Sequence, residues 1–129
     1  MGSSPKFRDQ LIWLFFKVDG RISRMTYLLA GLLLAIAPAF MLYRFTLTPE
    51  ESSAGVFWAL GFWAVFITCI WCSFALGAKR VHDFGKPGFL ALTLFVPVVS
   101  WIAFIVFCAM PGDAGPNAYG PRTNARATG

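Results

Sequence analysis

The chain has 129 residues, of which 57% are apolar, 17% aromatic and only 13% charged, and its formal net charge is +5. Soluble domains carry about 25% charged residues on average, and a chain of this length suits one small domain whose surface would stay largely wet. The composition therefore argues against a soluble globular protein. It does not indicate nucleic-acid binding either, because Lys and Arg flank apolar runs instead of lining one face of a soluble fold.

The first predicted element is a short amphipathic helix over residues 6–18, after five residues, 1–5, that are predicted to be disordered. Its apolar positions share one helical face: Phe7, Leu11, Leu14, Phe15 and Val18. The segment is too short to span a bilayer, so we expect an interfacial helix that lies on the cytoplasmic leaflet or packs on the rest of the protein. Asp19-Gly20 is expected to end it.

Three long apolar windows without Asp, Glu, Lys or Arg follow, at residues 25–43, 52–78 and 87–112. A hydrocarbon core of about 30 Å needs about 20 helical residues, and a backbone in lipid must satisfy its own hydrogen bonds. The predicted fold is an all-α membrane protein with three transmembrane helices, over residues 25–43, 56–77 and 89–110. Pro97 is expected to bend the third helix.

The predicted membrane domain covers residues 6–121, and the Gly-, Pro- and Asn-rich tail 122–129 is predicted to be disordered. With three spans, eight of the eleven cations fall on the side that holds the N-terminus and the loop at 78–88. The positive-inside rule then predicts a multi-pass inner-membrane protein with a cytoplasmic N-terminus and the C-terminus outside.

Small residues recur every four positions in two of the predicted spans: Gly31, Ala35 and Ala39 in the first, and Ala64, Thr68 and Cys72 in the second. Close contact between helices in lipid needs small residues, so we expect these stripes to face each other or a neighbouring copy. Cys69 and Cys72 form a C-x-x-C pair inside an apolar helix, where a thiolate is disfavoured, and we expect buried side chains and not a redox or metal site.

Charge is concentrated in AKRVHDFGKPG, residues 78–88, and just before the first span. Because Arg21, Arg24, Arg80 and Asp83 are predicted at the same membrane depth, we expect Asp83 to bridge to Arg21 or Arg24; solvated, independent charges are the alternative. His82 has three readings: an interfacial side chain, a residue that titrates near its ordinary pKa of about 6.5, or a metal ligand. The last needs three or four ligands, which the neighbourhood does not offer.

Two sequence blocks resemble a known family of small bacterial inner-membrane proteins, domain-of-unknown-function family 805. FFKVDGRISRMTY is similar to its aromatic-x-x-x-Gly-Arg-x-x-Arg-x-x-Tyr pattern, and AKRVHDFGKPGF is similar to its Arg-Arg-Leu-His-Asp-x-x-x-x-Gly-Trp pattern. The tail PGDAGPNAYGP resembles the family's Gly-x-x-Gly-x-Asn-x-Tyr/Phe-Gly ending. Lys79, Val81 and Phe89 depart from the pattern. The resemblance implies a bacterial inner-membrane location and assigns no activity.

No paired carboxylates, Ser/His/Asp set or metal cluster indicates an enzyme, so catalytic residues, metal ligands and cofactors are predicted to be absent. The leading prediction is a non-enzymatic scaffold or accessory subunit whose cytoplasmic cations bind lipid headgroups or a partner. Its expected partners are membrane lipids and either further copies of itself or another membrane protein, but no nucleic acid. The alternative is a small oligomeric transporter or channel component, which the absence of ionisable groups within the spans disfavours.

Overall fold

The computed structural model describes residues 5–50 and 52–125, and two isolated β-bridges are the non-helical pairings within them. The helical elements in chain order are α1 (Pro5–Phe16), α2 (Arg24–Thr46), α3 (Ser53–Asp83), a 3₁₀ segment (Gly88–Phe95) and α4 (Val99–Ala109). The predicted all-α class is therefore confirmed.

The two long helices, α2 and α3, pack against each other as an antiparallel pair joined by a short connection. Serine caps the N-terminus of each: the Ser23 hydroxyl accepts a hydrogen bond from the Thr26 backbone N–H, and the Ser52 hydroxyl accepts one from Ala54. Helix α2 has 23 residues and α3 has 31, which gives lengths of about 34 and 46 Å at about 1.5 Å per residue. The extra length of α3 carries its charged C-terminal turns beyond its apolar part.

The apolar surfaces of both helices remain mostly open. Only 11% of the most apolar window of α2 and 17% of that of α3 are buried within the chain, whereas the core helix of a soluble protein would be mostly buried. Both helices are long and apolar enough to cross a membrane, and α4 is a shorter apolar helix. The two long elements thus correspond to the first two predicted spans.

The third apolar window does not form one helix. The 3₁₀ segment packs on α3, where Ala91 and Leu94 lie against Gly77, and α4 then returns along α2, where the Tyr27 and Phe107 rings are 5.9 Å apart. The 3₁₀ segment starts beside the C-terminus of α3, and α4 ends beside the N-terminus of α2. The window is therefore a hairpin with both ends at one end of the bundle, and the predicted continuous helix over 89–110 is wrong.

The reversal lies at Pro97 and Val98. Pro97 has no backbone N–H to continue a helical ladder, and its carbonyl accepts a hydrogen bond from the Val99 N–H at 2.8 Å. Val98 adopts φ 70° and ψ −53°, so this is a three-residue γ-turn of the rare, strained kind. Proline was expected to bend the element, but here the chain turns back on itself.

The C-terminal segment folds over the same end of the bundle. Arg21 and Ala125 exchange backbone hydrogen bonds of 3.0 and 3.1 Å, and the Asn124 side-chain oxygen accepts one from the Ser23 N–H at 2.9 Å. Asn124 and Ala125 thus have hydrogen-bond partners in the residues just before α2, whereas residues 122–124 are exposed. The disorder predicted for the tail 122–129 stays a prediction. Residues 126–129, and 1–4 of the predicted disordered N-terminus, lie outside the described residues.

These contacts bear on the predicted arrangement of the two ends. A helix spanning 89–110 would carry the tail to the far end of the bundle, but the hairpin returns it to the end where α1 and Arg21 lie. The side of a membrane on which each segment lies stays a prediction.

Most positions of the small-residue stripes are exposed. Gly31 contacts Phe104 of α4, Cys72 is buried, and the remaining members are exposed: Ala35, Ala39, Ala64 and Thr68. The contact between α2 and α3 includes the Cys69 thiol, which donates to the Leu34 carbonyl at 3.6 Å, and Gly61, which lies against Met41. Contact of the stripes with each other or with a neighbouring copy stays a prediction.

Helix α1 forms close to its predicted bounds and packs on the bundle. Trp13 is buried, and the Trp71 indole N–H donates a 3.0 Å hydrogen bond to the Phe16 carbonyl. Phe7 and Leu11 are about half exposed. One face of α1 therefore meets the bundle through Trp13 and Phe16.

Candidate functional site

A buried carboxylate shared by two arginines lies at the centre of the end that carries both chain segments. Asp83, in the last turn of α3, accepts hydrogen bonds from Arg21 Nε and from Arg80 Nη1, each at 3.0 Å. All three side chains are at least 97% buried. The structure thus brings together Asp83 and one of its two proposed partners, Arg21, and adds Arg80 from one turn earlier.

Arg21 also fastens the C-terminal segment. Its Nη1 donates to the carbonyls of Gly115 at 2.8 Å and Gly120 at 3.3 Å, and its Nη2 donates to that of Asp113 at 2.7 Å. A planar guanidinium can direct several donors at once to fixed acceptors. One arginine before α2 therefore joins the end of α3 to three points of the tail.

Arg80 binds the C-terminal end of α4. Its Nε donates to the Phe107 carbonyl at 2.6 Å, and its Nη2 donates to that of Met110. The last carbonyls of a helix have no acceptor role within the helix and carry its negative dipole end. Arg24 does not pair with Asp83 but donates to the Ala109 carbonyl at 2.9 Å, so two cations cap α4.

Lys79 fastens α1 to α3. Its fully buried ammonium donates to the carbonyls of Trp13 and Leu14, each at 2.7 Å, and to that of Lys17. The nitrogen also lies 5.1 Å from the centre of the Trp13 ring. Lys79 follows the apolar window that ends at Ala78, and burial lowers its pKa to about 7, an effect that the nearby Asp19 partly offsets.

His82 is part of the same assembly. Its Nδ1 lies 3.0 Å from the Gly20 carbonyl, which can only accept, so this nitrogen carries the proton. The ring stacks on Tyr119 at 4.1 Å with an interplanar angle of 2°. Burial lowers the pKa of His82, and the Gly20 hydrogen bond and Asp19 oppose this shift. The structure thus favours a neutral, packed side chain here.

The tail approaches Asp83 so closely at Gly112 that a larger residue there would displace the tail or the carboxylate. A Cβ atom on Gly112 would overlap Asp83 Oδ2, whereas a Cβ on Gly115 would meet nothing within 4 Å. The Asp113 N–H donates to the Asp83 carbonyl at 2.6 Å, and Asn117 Nδ2 donates to the His82 carbonyl at 2.9 Å. The residues at 112–119 therefore complete the site.

Sequence reasoning found the charges but missed the tail as their partner. The predicted cluster was Arg21, Arg24, Arg80, His82 and Asp83, and Lys79, Gly112, Asn117 and Tyr119 belong with it. The signal was present in the tail block PGDAGPNAYGP, because Asn117, Tyr119 and Gly120 are among the residues that carried the family resemblance.

The chemical capacity of this cluster is taken up by internal contacts. Among the described residues no buried side-chain nitrogen or oxygen lacks a hydrogen-bond partner. Across 5–50 and 52–125 there is also no group of three or more His, Cys, Asp or Glu residues that could hold a metal ion. The arrangement is suited to holding elements together.

Long apolar helices with open surfaces, joined at one end by a buried charge cluster, define a helical membrane protein. The chain belongs to the family described as "Protein of unknown function (DUF805)", which matches over residues 15–121. The resemblance of the two sequence blocks is thereby confirmed.

Two relatives from Escherichia coli (strain K12) are similar to part of the chain. Inner membrane protein YhaI is 41% identical over 46 residues, which cover 36% of this chain and 39% of YhaI. Inner membrane protein YhaH is 34% identical over 47 residues, which cover 36% of this chain and 39% of YhaH. The matched stretch thus spans well under half of either relative. No solved structure gives a significant match.

Proposed function

We propose that this protein is a non-enzymatic scaffold or accessory subunit of a bacterial inner membrane, which uses exposed cations at its cytoplasmic end to bind lipid headgroups or an acidic partner. Membership of a family with inner-membrane relatives supports the location. Three of the exposed cations at this end are called the basic rim: Lys17, Arg24 and Lys86.

The proposed topology has two spans, α2 and α3, and a re-entrant hairpin formed by the 3₁₀ segment and α4. Its support is geometric: the hairpin lines α2 and α3 and returns to the end from which it started. Non-helical backbone at membrane depth is tolerated where protein packs against it, and the contacts of Leu94 with Gly77 and of Phe104 with Gly31 supply that packing. Both terminal segments then share one side.

The charge distribution supports a cytoplasmic position for that side. Arg44, in the last turn of α2, lies at the opposite end of the bundle together with Glu50. The basic rim, Arg8 and Arg122 all lie at the end that carries the terminal segments. Folding the tail back therefore strengthens the asymmetry, and the positive-inside rule assigns this end to the cytoplasm.

The observation that carries the proposal is the saturation of the buried charges. The buried charged groups use their donors or acceptors in contacts with one another, with helix ends and with tail carbonyls. They are Arg21, Lys79, Arg80 and Asp83. An enzyme or an ion pathway needs polar groups that can change partners, and these are fixed. The exposed cations of this end, the basic rim among them, remain accessible for binding.

Two measurements on the full chain test this proposal. A photo-crosslinking residue at Lys86, on the rim, is expected to give one defined product in native membranes, and the same residue at Arg44 is expected to give none. Charge reversal by Lys17→Glu should remove that product. Proteoliposomes should show no ion or solute flux above protein-free liposomes; flux, or equal crosslinking from both positions, would contradict the proposal.

A further inference from the structure

A cavity of about 510 Å³ lies between α2, α3 and the hairpin. This volume is within the range of about 300–1,000 Å³ that is usual for small-molecule sites. Its wall on α2 extends from Tyr27 to Leu34, which is about 10 Å along a helix and lies inside the first apolar window. The charged residues of the cluster around Asp83 do not line it. The cavity is therefore an uncharged site, separate from that cluster.

Three hydroxyl-bearing residues line this cavity, one from each element around it: Tyr27 of α2, Ser73 of α3 and Ser100 of α4. None of the three hydroxyls has a hydrogen-bond partner within residues 5–50 and 52–125. Every enclosed side-chain oxygen in that part of the chain does have a partner, so these hydroxyls reach open space. Tyr27 is only 4% exposed, and the space that its hydroxyl reaches is the cavity. A buried donor is thus directed into a largely apolar site.

Aromatic rings form the side of the cavity toward α4. The Tyr27 and Phe104 rings are 5.6 Å apart, and Trp101 lines the same side. Trp101 is 78% exposed and Ile105 is 65% exposed, so the cavity opens along α4, toward lipid in the proposed topology. A ligand that enters there has to be soluble in the membrane, and a planar ring packs well against aromatic walls.

We propose that this cavity binds a membrane-soluble compound with a planar ring and carbonyl oxygens, of the class of the isoprenoid quinones. The carbonyl oxygens accept hydrogen bonds from the Tyr27 hydroxyl and from Ser73 or Ser100, and the ring packs against Trp101 and Phe104. A hydroxyl without a partner is unfavourable in an apolar environment, and an acyl chain would leave all three in that state. The inference rests on the proposed membrane location and goes beyond the proposed function by assigning a ligand site.

The test is a calorimetric titration of the full chain, purified in mild detergent, with decylubiquinone. Wild type is expected to bind one molecule per chain. Tyr27→Phe keeps the ring and removes the hydroxyl, and it should weaken binding about fivefold, because a net hydrogen bond contributes about 1 kcal/mol and about 1.4 kcal/mol is tenfold. Tyr43→Phe makes the same change at an exposed position of α2 outside the cavity and should leave the affinity unchanged.

A second ligand and a second variant separate the oxygens of the ligand from its apolar part. Decylbenzene has the ring and the chain without an acceptor, so it should bind wild type more weakly than decylubiquinone does, and it should bind Tyr27→Phe and wild type equally. Ser73→Leu fills the cavity from α3 and should abolish the binding of both ligands.

The proposal would be overturned if wild type did not bind decylubiquinone, if wild type and Tyr27→Phe bound it equally, or if both ligands bound equally well. Binding retained in Ser73→Leu would place the ligand elsewhere and would also overturn it. Flux in proteoliposomes, or equal crosslinking from Lys86 and Arg44, would refute the scaffold function without changing this titration, so the two failures are distinguishable.

Discussion

Asp83 is the residue on which the junction of the helices depends most. Its carboxylate lies between the buried guanidinium groups of Arg21 and Arg80. Asp83→Ala leaves two cations buried without their carboxylate, and breaking a buried ion pair from one side costs about 3–5 kcal/mol. We expect a correspondingly large fall in the melting temperature of the detergent-purified protein.

The control is Arg44→Ala, which removes an exposed cation that stacks on Trp58 at the other end of the bundle. Exposed charge interactions contribute about 1 kcal/mol or less, so this variant should melt close to wild type. Equal losses in the two variants would mean that the ion pairs of Asp83 do not hold the junction.

Gly112 offers a test with a matched control in the same segment. Gly112→Ala places a methyl group on Asp83 Oδ2, so either the tail or the carboxylate has to move. Gly115→Ala adds the same methyl group where nothing lies within 4 Å. We expect only the first variant to lower the melting temperature, by the equivalent of about 1–3 kcal/mol, as is usual for overpacking. Similar melting curves for the two variants would contradict the packing of the tail on Asp83.

For single residues, the sequence predicts which charges pair better than it predicts where two parts of the backbone come into close contact. Arg21 and Asp83 could be matched because both fall at the edge of an apolar window on the same predicted side. Nothing in the sequence around Gly112 indicates that a small residue is needed there, because the atom that leaves no room for a side chain belongs to a carboxylate 29 positions away in the chain. From the sequence, Lys79 is an ordinary cation of the positive-inside kind. Only the position of α1 in the fold shows that Lys79 caps the C-terminal end of that helix.

Among the elements, α1 depends on Lys79 for its attachment. Lys79→Met keeps the aliphatic length but removes the donor to the carbonyls of Trp13, Leu14 and Lys17. We expect faster amide hydrogen exchange throughout α1 than in wild type, measured by mass spectrometry. Lys86→Met, at an exposed position, should leave that exchange unchanged. Unchanged exchange in the Lys79 variant would show that Trp13 packing alone holds the helix.

The hairpin turn contains a strained residue whose relief can be measured. Val98 has φ 70°, which is an outlier for a β-branched residue and costs about 1–3 kcal/mol. Val98→Gly should therefore raise the melting temperature despite the flexibility of glycine. Val96→Gly is the control: Val96 has φ −95° and ψ 121°, so this change should lower the melting temperature. A lower value for both would contradict the strained turn.

The apolar windows predicted the first two long helices well and the third badly. The windows of α2 and α3 are long, and even Pro38 lies within a continuous α2. The third window is equally apolar, and composition alone does not distinguish a straight span from a hairpin of similar length. The difference is made by the γ-turn after Pro97 and by Gly77, which lets the 3₁₀ segment approach α3.

For the whole molecule, the central claim is that both terminal segments and the loop between α3 and the hairpin share one side of the membrane. Arg21 links the approach to α2, the end of α3 and the tail in one buried network, and this network cannot form if the tail lies across the bilayer. Three predicted spans would have required that separation.

Single-cysteine labelling in whole cells tests this claim most directly. The natural Cys69, Cys72 and Cys108 are replaced by Ala, and one cysteine is introduced in the full chain at Thr123, at Lys86 or at Ser53. A membrane-impermeant thiol reagent should label Ser53→Cys in intact cells, and it should reach Lys86→Cys and Thr123→Cys only after permeabilisation. If Thr123→Cys is labelled in intact cells and Lys86→Cys is not, the tail lies across the membrane and the account is contradicted.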